Sequence, residues 1–175
     1  MSFDGSLAVW VREQPGLLSL QQVVYIVRRT ADALQQLHNQ QIIYQDLNLY
    51  SILIHTDVKN PERVDLRLAD LSAPARAPTR FGLMYMAPEQ WVGHIAPATD
   101  QYALAVIAYE LLTGLPPFQG PPAKLMDLHV NVQPPPPSTL NPRVSPAIDT
   151  VILSALAKRP EDRFPSVFAF ARALE

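Results

Sequence analysis

Residues 37–54 read LHNQQIIYQDLNLYSILI. The stretch leaves an amphipathic pattern, crosses a short polar loop around Asp46, and enters the branched apolar run Ile52-Leu53-Ile54. A helix end, a loop and a strand start therefore follow one another closely. Asp46 suits two roles there. It is a turn residue whose side chain satisfies its own backbone, or a carboxylate placed to accept a proton. The stretch alone leaves both open.

Upstream, Ser19 to Gln40 predicts one long helix. Leu20, Val23, Val24, Val27, Ala31, Leu34 and Leu37 share a face at 3.6-residue spacing. Ser19 with Gln22 forms a capping box at its start. A shorter helix, Ser6 to about Arg12, precedes it, and Pro15-Gly16 breaks the two apart. Downstream, Val64, Leu66 and Leu68 alternate with Asp65 and Arg67, which is strand period. With Ile52-Leu53-Ile54 they predict a two-stranded hairpin turning at Asn60-Pro61. Asp100 to Thr113 is apolar nearly all round, the mark of a central buried helix, and Gly114 with Pro116 ends it. Further helices are expected at about 122–129, 146–157 and 166–174, with Ser145-Pro146 and Ser166 as starts. The fold class is mainly α with a small β-hairpin, in one domain over 1–175.

Composition excludes several functions. The 175 residues are 48% apolar and 17% charged, with a net charge of −2, so no basic excess points to nucleic acid. No apolar run reaches the ~18–20 residues of a membrane span, and no leader pattern is visible. Zero cysteines exclude disulfides and thiolate metal sites and fit a reducing, cytoplasmic setting. His38, His55, His94 and His129 show no ligand spacing and are expected on the surface or in loops. The 18 prolines cluster between elements, as in Pro134 to Pro137, and read as stiff connections.

Five blocks in order carry a resemblance. LHNQQIIYQDLNLYSILI resembles the catalytic loop of the protein kinase family, and VDLRLADLSAP (64–74) the strand and metal-binding Asp after it. YMAPEQW (85–91) resembles the end of the activation segment, ATDQYALAVIAYELLTGLPPF (98–118) the central helix, and ALAKRPEDRFPS (155–166) the last conserved turn. The flavour is that of bacterial Ser/Thr kinases, enzymes of signalling that use ATP and Mg²⁺. The resemblance implies a kinase-like C-terminal lobe over the whole chain, with MSFDGSL (1–7) at the interlobe hinge and the N-terminal lobe absent. No Gly-rich loop, strand Lys or paired helix Glu is then at hand; Lys59, Lys124 and Lys158 stand elsewhere.

The resemblance also implies site residues. Phosphoryl transfer is mostly positioning and charge neutralisation. Asp46 matches the base position, Asp70 the Mg²⁺ ligand, and Leu53 the floor of the adenine pocket. Around them the motifs are degenerate. Tyr44-Gln45-Asp46 stands for His-Arg-Asp, with Tyr44 filling the packing slot of the His. Asn48 occupies the catalytic-loop Lys position and Ser51 that of the Asn that binds a second Mg²⁺, a role a hydroxyl fills poorly. Asp70-Leu71-Ser72 replaces Asp-Phe-Gly. Glu89 and Arg163 match a structural ion pair, and Asp100 the anchor of the catalytic loop.

The expectation is a pseudokinase-like interaction or regulatory module, inactive and without cofactor as an isolated chain. It would bind a protein partner or a second copy through the exposed lobe interface around Leu53 or the groove near helix 122–129. The alternative is a truncated piece of an ATP-dependent Ser/Thr protein kinase.

Overall fold

The computed structural model describes residues 5–57, 60–69 and 81–175, without the side chains of 56, 57 and 60–64. In chain order the elements are β1 (Gly5–Ser6), α1 (Leu7–Arg12), α2 (Leu20–Asn39), β2 (Ile52–Asp57) and β3 (Asn60–Leu68). They are followed by α3 (Pro97–Thr113), α4 (Pro122–Asn131), α5 (Pro146–Ala155) and α6 (Val167–Leu174). Two short 3₁₀ turns, Gly82–Tyr85 and Pro88–Val92, lie between β3 and α3.

Helix α3 is the centre, because every face of it is apolar. All residues from Tyr102 to Ala108 are buried, and α2, α5 and α6 pack around them. Its end is fixed by Gly114, at φ 81, whose N–H bonds the Glu110 carbonyl at 2.7 Å. A Cβ there would strain the backbone and sit 3.1 Å from the Leu17 side chain. The helix begins earlier than its apolar run suggests, since Pro97 supplies the first turn. Helix α2 starts at the expected Ser19–Gln22 capping box. Its buried stripe is Val23, Ile26, Val27, Thr30, Ala31 and Leu34; Leu20, the first helical residue, is 44% exposed beyond that packing.

The sheet has three antiparallel strands in the order β1-β2-β3, not two. Ile52 pairs Leu68 and Ile54 pairs Leu66, which turns Ile52 and Ile54 into the core. Asn60-Pro61 is not the turn. Asn60 pairs Asp57 and opens β3, an edge strand in which a missing proline N–H costs no ladder bond. Residues 58–59 lie outside the described residues.

Two histidines are also corrected. His129 is fully buried, and its Nδ1 lies 2.8 Å from the Tyr102 hydroxyl. Burial and the nearby Lys158 ammonium hold its pKa at about 4, so it stays neutral. The His38 side chain is 5% exposed and pairs with Asp100. His55 is half-buried on β2, and His94 alone lies exposed as expected.

Candidate functional site: a strained loop closed on itself

The loop begins where α2 stops. Gln41 takes the left-handed conformation at φ 61, and the Ile42 N–H returns to the Leu37 carbonyl at 2.9 Å. That is the six-to-one bond of a helix C-cap, made here without glycine. Next, the Asp100 carboxylate rises from α3 and gathers the loop backbone. Oδ2 accepts from the Tyr44 N–H at 2.8 Å and lies 2.7 Å from His38 Nε2; Oδ1 accepts from the Gln45 N–H at 2.8 Å. Asp100 is 1% exposed, so these donors replace water around the carboxylate.

Gln45 sits at φ 71, and the Asp46 N–H bonds the Tyr44 carbonyl across it at 3.0 Å. Such a three-residue turn at positive φ is rare and strained. A residue held so costs on the order of 1–3 kcal/mol and persists only where its surroundings over-determine it. Both sides of Gln45 are held. Its N–H goes to Asp100, and its carbonyl accepts from Gln90 Nε2 at 2.9 Å. The turn delivers Asp46 to the surface, where the residue is exposed. Partial burial pushes its carboxyl above the ordinary carboxylate range, and the neighbouring Asn48 amide works the other way.

Asn48 and Ser51 face inward. Asn48 Oδ1 accepts from the N–H groups of Tyr50 at 2.9 Å and Ser51 at 3.1 Å, and its Nδ2 donates to the Asp46 carbonyl at 2.9 Å. The Ser51 hydroxyl accepts from the Asn48 N–H and donates to the Asn48 carbonyl, both at 2.9 Å. Asn48 is 6% exposed. Apart from the Asn48 amide's bond to the Asp46 carboxyl, both side chains are spent on the loop backbone. Asn48 is thus the internal strut of the loop. Replacing it with Ala takes the partner from the Tyr50 N–H and the Asp46 carbonyl, while the Ser51 N–H keeps the Asn48 carbonyl at 3.1 Å; the cost is about 1–3 kcal/mol, that of a group that loses its partner. Asn48→Lys should cost as much, because an ammonium accepts nothing. A urea-denaturation midpoint for each variant checks this.

The loop is tied down at its other end as well. Ala69 N–H bonds the Ser51 carbonyl at 2.7 Å, and the Tyr44 hydroxyl donates to the Ala69 carbonyl at 3.1 Å. Tyr44 therefore packs and also fixes the residue before Asp70. Asp70 itself lies outside the described residues. Leu53 is half-buried on β2, opposite Arg67, and His55 opposite Asp65 follows on the same face. That face is more polar than a bare apolar patch.

Beside the loop stands the frame of the 88–92 turn. Arg163 and Glu89 form a two-pronged pair, each prong 2.8 Å. Arg163 also donates to the carbonyls of Ala157, Ala98 and Lys158 and lies over the Tyr102 ring. Burial works to raise the Glu89 pKa, but Arg163 and the Thr99 hydroxyl outweigh it, and the carboxyl ends below its ordinary range. Between the 82–85 turn and α4 lies a hollow of about 340 Å³, lined by Phe81, Met84, Gln119, Gly120, Pro122 and Leu125. Exposed Phe81 leans on Tyr50 at 5.3 Å, and Arg12 donates to the Tyr50 hydroxyl.

The loop hung on a helix carboxylate, the strained turn presenting Asp46, and the Glu89–Arg163 frame agree with the wider similarity of the chain. Residues 2–172 match the protein kinase domain model. The chain belongs to the protein kinase family. Within that family it is of the bacterial serine/threonine type. Serine/threonine-protein kinase Pkn1 of Myxococcus xanthus is 39% identical over 98% of this chain and 26% of its own length. PknE of Mycobacterium tuberculosis is 37% identical over 90% of this chain and 28% of its own. The solved Mycobacterium tuberculosis PknI kinase domain aligns at TM-score 0.78 and 29% identity, over 99% of this chain and 62% of that one. The chain thus spans about a quarter of the length of those curated kinases.

Protein kinases use ATP and Mg²⁺. The described residues do not fit a second Mg²⁺, because Asn48 and Ser51 spend their oxygens on the loop backbone. Nor, among the described residues, is there a group of three His, Cys, Asp or Glu side chains that could hold a metal ion. Two partners in this site were missed at the level of sequence. His38 stands one residue before the helix end with no sign in the sequence of its bond to Asp100, and no pattern marks Gln90.

Proposed function

We propose that this chain is a kinase-type C-terminal lobe that does not transfer phosphate by itself and serves as a regulatory, protein-binding module. One observation carries the reading: the Asn48–Ser51 ring is closed. An exposed Asp46 can still accept a hydroxyl proton. The two positions that would carry phosphate charge and a second cation are turned into the loop instead. Asp70 would remain the one family position for a metal, and Leu53 the one for an adenine ring. Binding would fall to the surface beside the loop. The hollow under Phe81 and Met84 is apolar, and Tyr50 extends its rim, which suits an apolar side chain of a protein partner.

The test is a phosphotransfer assay on the purified chain with Mg·ATP and protein substrates, alongside a thermal-shift titration with ATP. The expected result is transfer no faster than a protein-free blank and an unchanged unfolding midpoint. Transfer that disappears in Asp46→Asn would show instead an enzyme fragment that hands the γ-phosphate to protein hydroxyls. The retained Asp46 favours that second reading.

A further inference from the structure

We propose that Gln90 is the positioning residue of the Asp46 loop, a clamp that holds Gln45 in its left-handed turn from the carbonyl side. The assignment rests on geometry and is independent of whether the loop transfers phosphate. The Gln90 side chain has two ends with different tasks. Its Oε1 accepts from the Ala87 N–H at 3.0 Å and closes the start of its own turn. Its Nε2 reaches across 45 positions of sequence to the Gln45 carbonyl at 2.9 Å.

The clamp has a rigid base. Its neighbour Glu89 is fixed by both prongs of Arg163, and the N–H groups of Gln90, Gly93 and His94 are bonded within the same turn. The clamped object is strained. A glutamine at φ 71 is released by any loss of restraint, since its relaxed conformation lies at negative φ. Asp100 holds only the N–H side of that residue. Without Nε2, the Gln45–Asp46 peptide keeps only the bond of its N–H to the Tyr44 carbonyl, at 3.0 Å, and the placing of Asp46 loosens with it. The 88–92 turn also packs against α4, one wall of the Phe81–Leu125 hollow. The turn that carries Gln90 therefore lies between the α4 wall of that hollow and the Asp46 loop.

Two substitutions separate the tasks of Gln90. Gln90→Glu keeps an oxygen for Ala87 and loses the donor to Gln45; Gln90→Leu loses both. Amide hydrogen exchange and backbone NMR shifts are read residue by residue. In Gln90→Glu, the Gln45 and Asp46 amides should exchange at least about tenfold faster, with Gln45 shifts moving toward negative-φ values. The amides of Gly93, His94 and the α3 core should stay within about twofold. Adding Gln45→Asn, a residue more at ease in left-handed backbone, should restore most of the lost protection. Unchanged exchange at Gln45 and Asp46 in both variants overturns the proposal. So does a uniform rise throughout the chain, or failure of Gln90→Glu to fold, since the side chain would then support the domain and not the loop.

Discussion

Glu89→Ala should lower the free energy of unfolding by about 3–5 kcal/mol, the cost of leaving one partner of a buried ion pair alone. The Arg163 side chain is fully buried and the Glu89 side chain 9% exposed, so water can replace little of the lost carboxylate. A domain of ordinary stability has about 5–15 kcal/mol in all. The variant should therefore unfold at a much lower urea concentration, with little change in slope. Arg163→Met should be at least as harmful. It leaves the Glu89 charge in place and also strips donors from the carbonyls of Ala98, Ala157 and Lys158. For the same reason the double variant Glu89→Met with Arg163→Met should not recover stability, although replacing an isolated buried pair with apolar residues often does. The carbonyls of Ala98, Ala157 and Lys158 would all lose the guanidinium donor.

The pair also sets a pH dependence. The folded-state pKa of Glu89 lies below its unfolded value. Its stabilisation is thus fully present above the unfolded carboxylate pKa of about 4.3. It is lost as pH falls through the lower, folded value. Glu89→Gln should flatten that acid limb while leaving a neutral hydrogen bond to Arg163. Urea midpoints at a series of acid pH values read the slope directly; an equal slope in both proteins would remove Glu89 as its source.

How much of this was readable in the residues depended on whether a local pattern was tied to a single physical cause. Helix α3 was readable because only a central helix is apolar on every side, and α2 because Ser19 and Gln22 cap it reciprocally. Strand β1 was not, since Gly5–Ser6 is too short to show a period and owes its conformation to pairing with β2. Asn60-Pro61 read as a turn because proline and asparagine favour turns, yet an edge strand accepts both. Glu89, Asp100 and Arg163 came from resemblance, not from spacing, and the structure supplies the bonds that explain their place. Asn48 shows the limit most clearly. Its position in the loop is given by sequence, but the direction its amide faces is set by Tyr50, Ser51 and Asp46 in three dimensions. The burial of His38 and His129 likewise follows from Asp100 and Tyr102, which lie far from them in sequence.

The second large effect is expected at Asp100. This carboxylate is buried, and three donors stabilise it: two backbone N–H groups and His38. Its place in the first turn of α3 adds the favourable end of the helix dipole. Asp100→Ala removes the acceptor and leaves the N–H groups of Tyr44 and Gln45 unpaired. At roughly 1–3 kcal/mol for each buried group, the loss should be about 2–6 kcal/mol, nearer the lower end because Gln45 borders solvent. Asp100→Asn is the more telling change, since it preserves shape. A carboxylate offers only acceptors, whereas an amide must turn an NH₂ toward Tyr44 and His38 or toward Gln45. Two donors then face each other in a buried site, so Asn should recover little of what Ala loses. The loop should respond before the core does. Exchange at Tyr44 and Gln45 should rise far more than exchange at Leu104 or Ile107 in α3, and Asp46 should lose its fixed orientation with them. If Asp100→Asn kept wild-type protection at both loop amides, the strain at Gln45 would have to be held by Gln90 and the surrounding packing without any carboxylate beneath it.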